Sequence, residues 1–220
     1  MLGRAAVSVV LLVVSASAAG AAEGSYFPLR AGNWWSYEEL DDEGRPLSRE
    51  TWIVLDAAPP DRADEFHLRS LTKRLDMLGH RGHRWEGHEF LRATAVGLQK
   101  RYPPRGRDSE FEVTLLKEPV AAGTHWHDAQ GDCQVISLKG CAGPRGELPD
   151  CAVIACRLGR PTATVVTSTY ARGVGMVQQE LEVVQFVPGL YSSGPVPLPC
   201  DGAKGGHSTL RLTAFHVAPH

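Results

Sequence analysis

No cysteine occurs in this chain before Cys133, and no apolar run exceeds the ten residues from Ala5 to Val14. The first absence argues against a lipid anchor on a leader cysteine. The second argues against a transmembrane segment, since a spanning helix needs roughly 20 apolar residues. A basic excess is also missing: 23 Lys and Arg stand against 25 Asp and Glu, interspersed, with no cationic stripe for a nucleic acid to follow. There is no Gly-x-Ser-x-Gly elbow and no His-Glu-x-x-His helix, and His88-Glu89 runs into Phe90-Leu91-Arg92 rather than a second ligand. No stretch of 12 or more residues with helical periodicity is found, and no repeat of fixed period. Nothing in this set supports an enzyme or calls for a cofactor.

The chain begins with a leader pattern. Arg4 precedes the apolar run, and small residues lead to Ala19-Gly20-Ala21, which reads as a secretory signal peptide over residues 1–22. The expectation is an exported bacterial protein, soluble in the periplasm or outside the cell after cleavage. Its mature part is a single β-rich domain over 23–220, and losing Arg4 takes its formal net charge from −2 to −3.

The mature sequence alternates with period two. Trp52 and Val54 oppose Thr51, Ile53 and Leu55; Phe66 and Leu68 alternate with His67 and Arg69; Phe111, Val113 and Leu115 alternate with Glu110, Glu112 and Thr114. Segments 151–156, 162–170, 176–186 and 209–217 are richer in β-branched residues. Turn chemistry separates the runs at Asp41 to Gly44, Pro59 to Asp61, Pro103 to Gly106, Gly143 to Gly146 and Arg172 to Gly175. An all-β antiparallel fold follows, with at most one or two short helical turns, one of them over Leu71 to Leu78. Residues 187–207, crowded with proline and glycine, read as a long irregular loop, functional or poorly ordered.

All five cysteines face an oxidising compartment if the chain is exported. If residues 133–156 form a hairpin, Cys141 faces Cys151 across the turn and Cys133 lies near Cys156. The two pairs do not share one antiparallel register, so forming both requires a bulge or slip. Cys141 with Cys151 is the favoured bridge and Cys200 the odd cysteine; free, half-buried thiols are the alternative.

The stretch Tyr26-Phe27-Pro28-Leu29-x-x-Gly32-Asn33-x-Trp35-x-Tyr37 resembles the start of a group of uncharacterised bacterial exported proteins. Three later landmarks match in order: Pro119 to Trp126, Gly146 to Val153, and Tyr170 to Val177. Arg172 stands where that group usually has proline, and Arg145 where it usually has alanine. The resemblance implies one strongly curved antiparallel sheet, a half-barrel or open barrel similar to the lipoprotein-carrier proteins. It carries no catalytic residues to transfer.

Several constellations carry chemistry or geometry. Gly173 and Gly175 flank Val174 between two strands and read as a structural turn, not a nucleotide loop, because no helix and no third glycine follow. Trp34, Trp35, Tyr37, Trp52 and Phe111 are the aromatic candidates for lining a ligand groove; alternation puts Trp35 and Tyr37 on one face and Trp34 on the other, with core packing as the competing role. His125 and His127 share one strand face and could reach one metal ion, with Asp128 or Asp132 completing the shell. His80, His83 and His88 read instead as a solvated loop. The leading expectation is therefore a noncatalytic carrier of a lipid-like, apolar or amphiphilic small molecule on the concave face of the sheet. A structural or interaction module for an envelope protein, and a metal-binding protein, are the alternatives.

Overall fold

The computed structural model describes residues 25–55, 65–75, 84–102, 110–129, 131–158, 163–184 and 206–218. They form one 12-stranded antiparallel sheet, nearly closed into a barrel, with no helix among the described residues. The strands are β1 (Trp34–Leu40), β2 (Pro46–Val54), β3 (Glu65–Arg74), β4 (Arg84–Thr94), β5 (Gly97–Tyr102), β6 (Phe111–Lys117), β7 (His125–His127), β8 (Gly131–Gly143), β9 (Gly146–Leu158), β10 (Ala163–Ala171), β11 (Gly175–Val184) and β12 (His207–His216). Neighbours in sequence pair throughout except β6 and β7, and one long-range join, β1 to β12, links the two halves, giving the order β6-β5-β4-β3-β2-β1-β12-β11-β10-β9-β8-β7.

The two edges, β6 and β7, meet through side chains rather than a main-chain ladder. The Trp126 indole N–H donates to the Thr114 carbonyl at 2.9 Å, and the Thr114 amide donates to Asp128 Oδ2 at 2.7 Å. Both free main-chain groups of one edge residue are thus satisfied by the other edge, which blunts the exposed strand template that an open sheet would present.

Residues 25–33 cap the barrel, and their sequence pattern is explained by what each side chain touches. Phe27 packs on Trp35 with ring centres 4.8 Å apart, and Tyr26, Phe27 and Leu29 are all buried. Asn33 donates to the Pro28 carbonyl at 2.7 Å and accepts from the Ala218 amide at 2.9 Å, pinning the cap to the chain end after β12. Trp35 Nε1 donates to the Val174 carbonyl, and the Tyr37 hydroxyl donates to the Met176 carbonyl at 3.1 Å. The first strand is thereby bonded to the β10–β11 hairpin. Gly175 is required there twice over: its φ is +112°, and a Cβ would sit 2.9 Å from Trp35 Nε1.

The β8–β9 register breaks at Val135/Ser137 and at Lys139/Cys141: Cys133 and Cys156 are direct partners, whereas Cys141 and Cys151 face Leu148 and Lys139 rather than each other, and their disulfide runs diagonally across the hairpin. Leu71 to Arg74 belongs to β3 and is extended, not a helical turn, because Leu71 and Thr72 continue the ladder to Glu86 and Trp85. The leader, Cys200 and residues 187–205 lie outside the described residues.

Candidate functional site

Alternation along each strand sends one set of side chains into the barrel, and on most strands that set is apolar. Inside, the barrel keeps a cavity of about 320 Å³. Leu91, Ile154, Leu158, Met176, Leu210 and the Cys133–Cys156 bridge form its apolar walls. Three strands turn a charged residue inward, Glu50 on β2, Glu89 on β4 and Lys100 on β5, and all three line the cavity together with Trp52 and Tyr102.

The polar group is organised. Lys100 Nζ lies 2.7 Å from Glu89 Oε1 and 5.0 Å from the centre of the Tyr102 ring. Burial disfavours the Lys100 ammonium, yet the Glu89 carboxylate and Tyr102 outweigh it and hold the lysine above its ordinary value. Burial pushes the Glu50 carboxyl up, and the Glu89 charge adds to that, against the pull of Trp52, Thr72 and Lys100. The Trp52 N–H is near enough to Glu50 to act on it electrostatically but is itself wholly buried with no hydrogen bond of good geometry. Tyr170, also in the lining, is driven up by burial and stays neutral.

The aromatic candidates divide by position. Trp35 and Tyr37 are fully buried, with their polar atoms spent on the hairpin carbonyls. Trp52 packs on Tyr37 at 4.9 Å and reaches the cavity. Trp34 is on the other face, stacked beside His216. Phe111 is 43% exposed and stacks on Tyr102 at 4.8 Å, extending the lining outward.

His125 and His127 project outward, on either side of the buried Trp126. They border an open depression of about 460 Å³ on the outer face of β7 to β10, and His127 Nδ1 lies 2.8 Å from Asp132 Oδ1. Among the described residues no three His, Cys, Asp or Glu side chains gather as a metal-binding group. His80 and His83 lie outside the described residues, whereas His88 is on β4 and not in a loop. Its Nδ1 is 2.8 Å from His67 Nε2, a pairing set by the β3–β4 register that no local sequence reading reveals.

Glu50, Glu89 and Lys100 were not among the residues the sequence pattern pointed to. The signal was there as charged residues at inward-facing positions of alternating strands, next to Trp52, Leu91 and Tyr102.

These features define a class: an all-β protein whose single antiparallel sheet curls around a partly polar cavity. Among solved structures, the chain is similar to an inferred lipoprotein from Parabacteroides distasonis, 16% identical, with 88% of this chain and 99% of that one covered at a TM-score of 0.50. It is also similar to an inferred exported protein with a YmcC-like fold from Bacteroides fragilis, 11% identical, with 88% and 100% covered at a TM-score of 0.49. No family model matches the chain, and no curated protein does. The likeness concerns the fold.

Proposed function

We propose that this is an exported, noncatalytic binding protein that holds a small amphiphilic molecule inside its barrel. The observation that carries this reading is the cavity of about 320 Å³, lined by aliphatic side chains and the disulfide together with Glu50, Trp52, Glu89, Lys100 and Tyr102. Its size is at the lower end of small-molecule sites, and its mixture of apolar walls with a few converging polar groups is the composition such sites share. Export is supported by the leader pattern, by the two disulfides, and by the lipoprotein description of the similar Parabacteroides distasonis structure.

The test is titration of the mature protein with N-phenyl-1-naphthylamine, a neutral apolar fluorophore. Saturable enhancement is expected, weakened at least about fivefold in Trp52→Ala, because an aromatic wall contributes on the order of 1 kcal/mol or more. Unchanged affinity in a folded Trp52→Ala protein, or no saturable binding by the wild type, would overturn the reading.

A further inference from the structure

Resting on that binding reading, we propose that the polar end accepted by the cavity is an ammonium group, seated between the Glu50 carboxylate and the aromatic ring of Trp52.

The charge balance points that way. Apart from tyrosines, the ionisable groups of the lining among the described residues are Glu50, Glu89 and Lys100. Lys100 is engaged by Glu89 at 2.7 Å, so Glu50 is left without a basic counterpart and the interior carries one uncompensated negative charge when all three are ionised. A half-buried carboxylate in that state favours the arrival of a cation or a proton. An anionic head would have to prise Lys100 from Glu89 while facing two carboxylates.

The surroundings suit an organic cation rather than a hydrated metal ion. Lys100 already shows the cavity holding an ammonium between a carboxylate and a tyrosine ring, with Tyr102 5.0 Å from its nitrogen. Beside Glu50 the equivalent part is Trp52, and two strands further on Trp85 shares the inward face, since Tyr37, Glu50, Thr72 and Trp85 are successive cross-strand partners. Trp85 is 49% exposed and ends that row. Aromatic faces beside a carboxylate attract alkylammonium groups, most strongly when desolvated.

The groups facing Glu50 also fix its pH behaviour. Glu89 and Lys100 form one pair, Tyr37 and Tyr170 are kept neutral by burial, and no histidine among the described residues lines the cavity. Ammonium binding competes with protonation of Glu50, so affinity falls as pH is lowered through the Glu50 titration.

The experiment is isothermal titration of the mature full chain with octylammonium, octyltrimethylammonium, octanol and octanoate, each below its micelle concentration. The expected order is both ammonium probes about tenfold or more tighter than octanol, with octanoate weakest, a gap of about 1.4 kcal/mol. Glu50→Gln should erase the gap and leave octanol binding in place. In the wild type the gap should shrink between about pH 8 and about pH 4, where the alkylammonium stays charged and carboxyls titrate. Octanol or octanoate binding as tightly as the ammonium probes overturns this inference while leaving the binding reading intact; no binding by any of the four overturns the binding reading itself. If Glu50→Gln does not fold, the wild-type pH series decides: an ammonium preference that does not change with pH overturns the assignment to Glu50.

Discussion

The Tyr26 hydroxyl donates to Asp150 Oδ1 at 2.6 Å, tying the capping segment to β9 across 124 positions of sequence. Arg172 completes the contact. Its guanidinium lies 4.3 Å from the centre of the Tyr26 ring and its Nε donates to the other Asp150 oxygen. Arginine at the position where proline is usual in the resembling sequences therefore has a use in this chain: it closes the cap.

Removing that hydroxyl should loosen the cap without emptying the core. Tyr26→Phe is expected to lower unfolding free energy by about 1–2 kcal/mol, the low end of the values for a hydrogen bond to a charged acceptor, because Asp150 is half exposed and screened by solvent. The denaturation midpoint should fall with the slope unchanged. The Asp150 carboxyl is held below its ordinary value by the Tyr26 bond first and by Arg172 next. A depressed carboxyl contributes stability above its unfolded value that is lost as pH falls through the folded one, so the difference between wild type and variant should narrow in strong acid.

The seam between β6 and β7 depends on three residues. With Asp128→Ala the Thr114 amide loses its acceptor, and amide hydrogen exchange there should accelerate by tenfold or more, about 1.4 kcal/mol of local opening, while amides in the β1–β12 ladder keep their protection. Acceleration spread equally over all strands would mean that the seam is not a local closure but part of the global fold.

Glu50 should cost the empty protein stability at neutral pH. Its carboxyl is raised by burial, so the folded state binds a proton more tightly than the unfolded chain, and stability falls as pH rises from its ordinary value of 4.5 through the raised one. Glu50→Gln is expected to be more stable than wild type near neutrality, with the advantage vanishing in acid below 4.5. Thermal denaturation of both proteins across that range reads the sign directly; a Gln variant less stable at neutrality would show that Glu50 is held by compensating bonds.

The fold was legible in the sequence where strands obey a simple inside-outside rule. Segments 151–156, 162–170, 176–186 and 209–217 fall on β9 to β12 with ends shifted by a few residues. The turn at Gly173 and Gly175 was also visible, since both positions need positive φ. β4 and β5 were harder for a physical reason. Their inward positions include Gly87, Glu89 and Lys100, so the polar residues that make the cavity unusual also break the binary pattern that would have marked the strands. The aromatic run was read as groove or core, and the split came from partners out of sight in sequence: Trp35 and Tyr37 found main-chain acceptors on Val174 and Met176, and Trp52 did not find one. The His67–His88 contact was hidden for the same reason, because cross-strand neighbours depend on a register that β3 and β4 set together.

The central claim is that the barrel interior is a binding cavity. It is tested most directly by native mass spectrometry of the mature protein, released from the cell envelope of an exporting host and compared with its denatured mass, before and after addition of octyltrimethylammonium. The account predicts a mass excess lost on denaturation, or stoichiometric uptake of one probe molecule that Trp52→Ala weakens. A protein that is bare as isolated and takes up no probe would contradict it and would make the Glu50, Glu89 and Lys100 group a purely structural network.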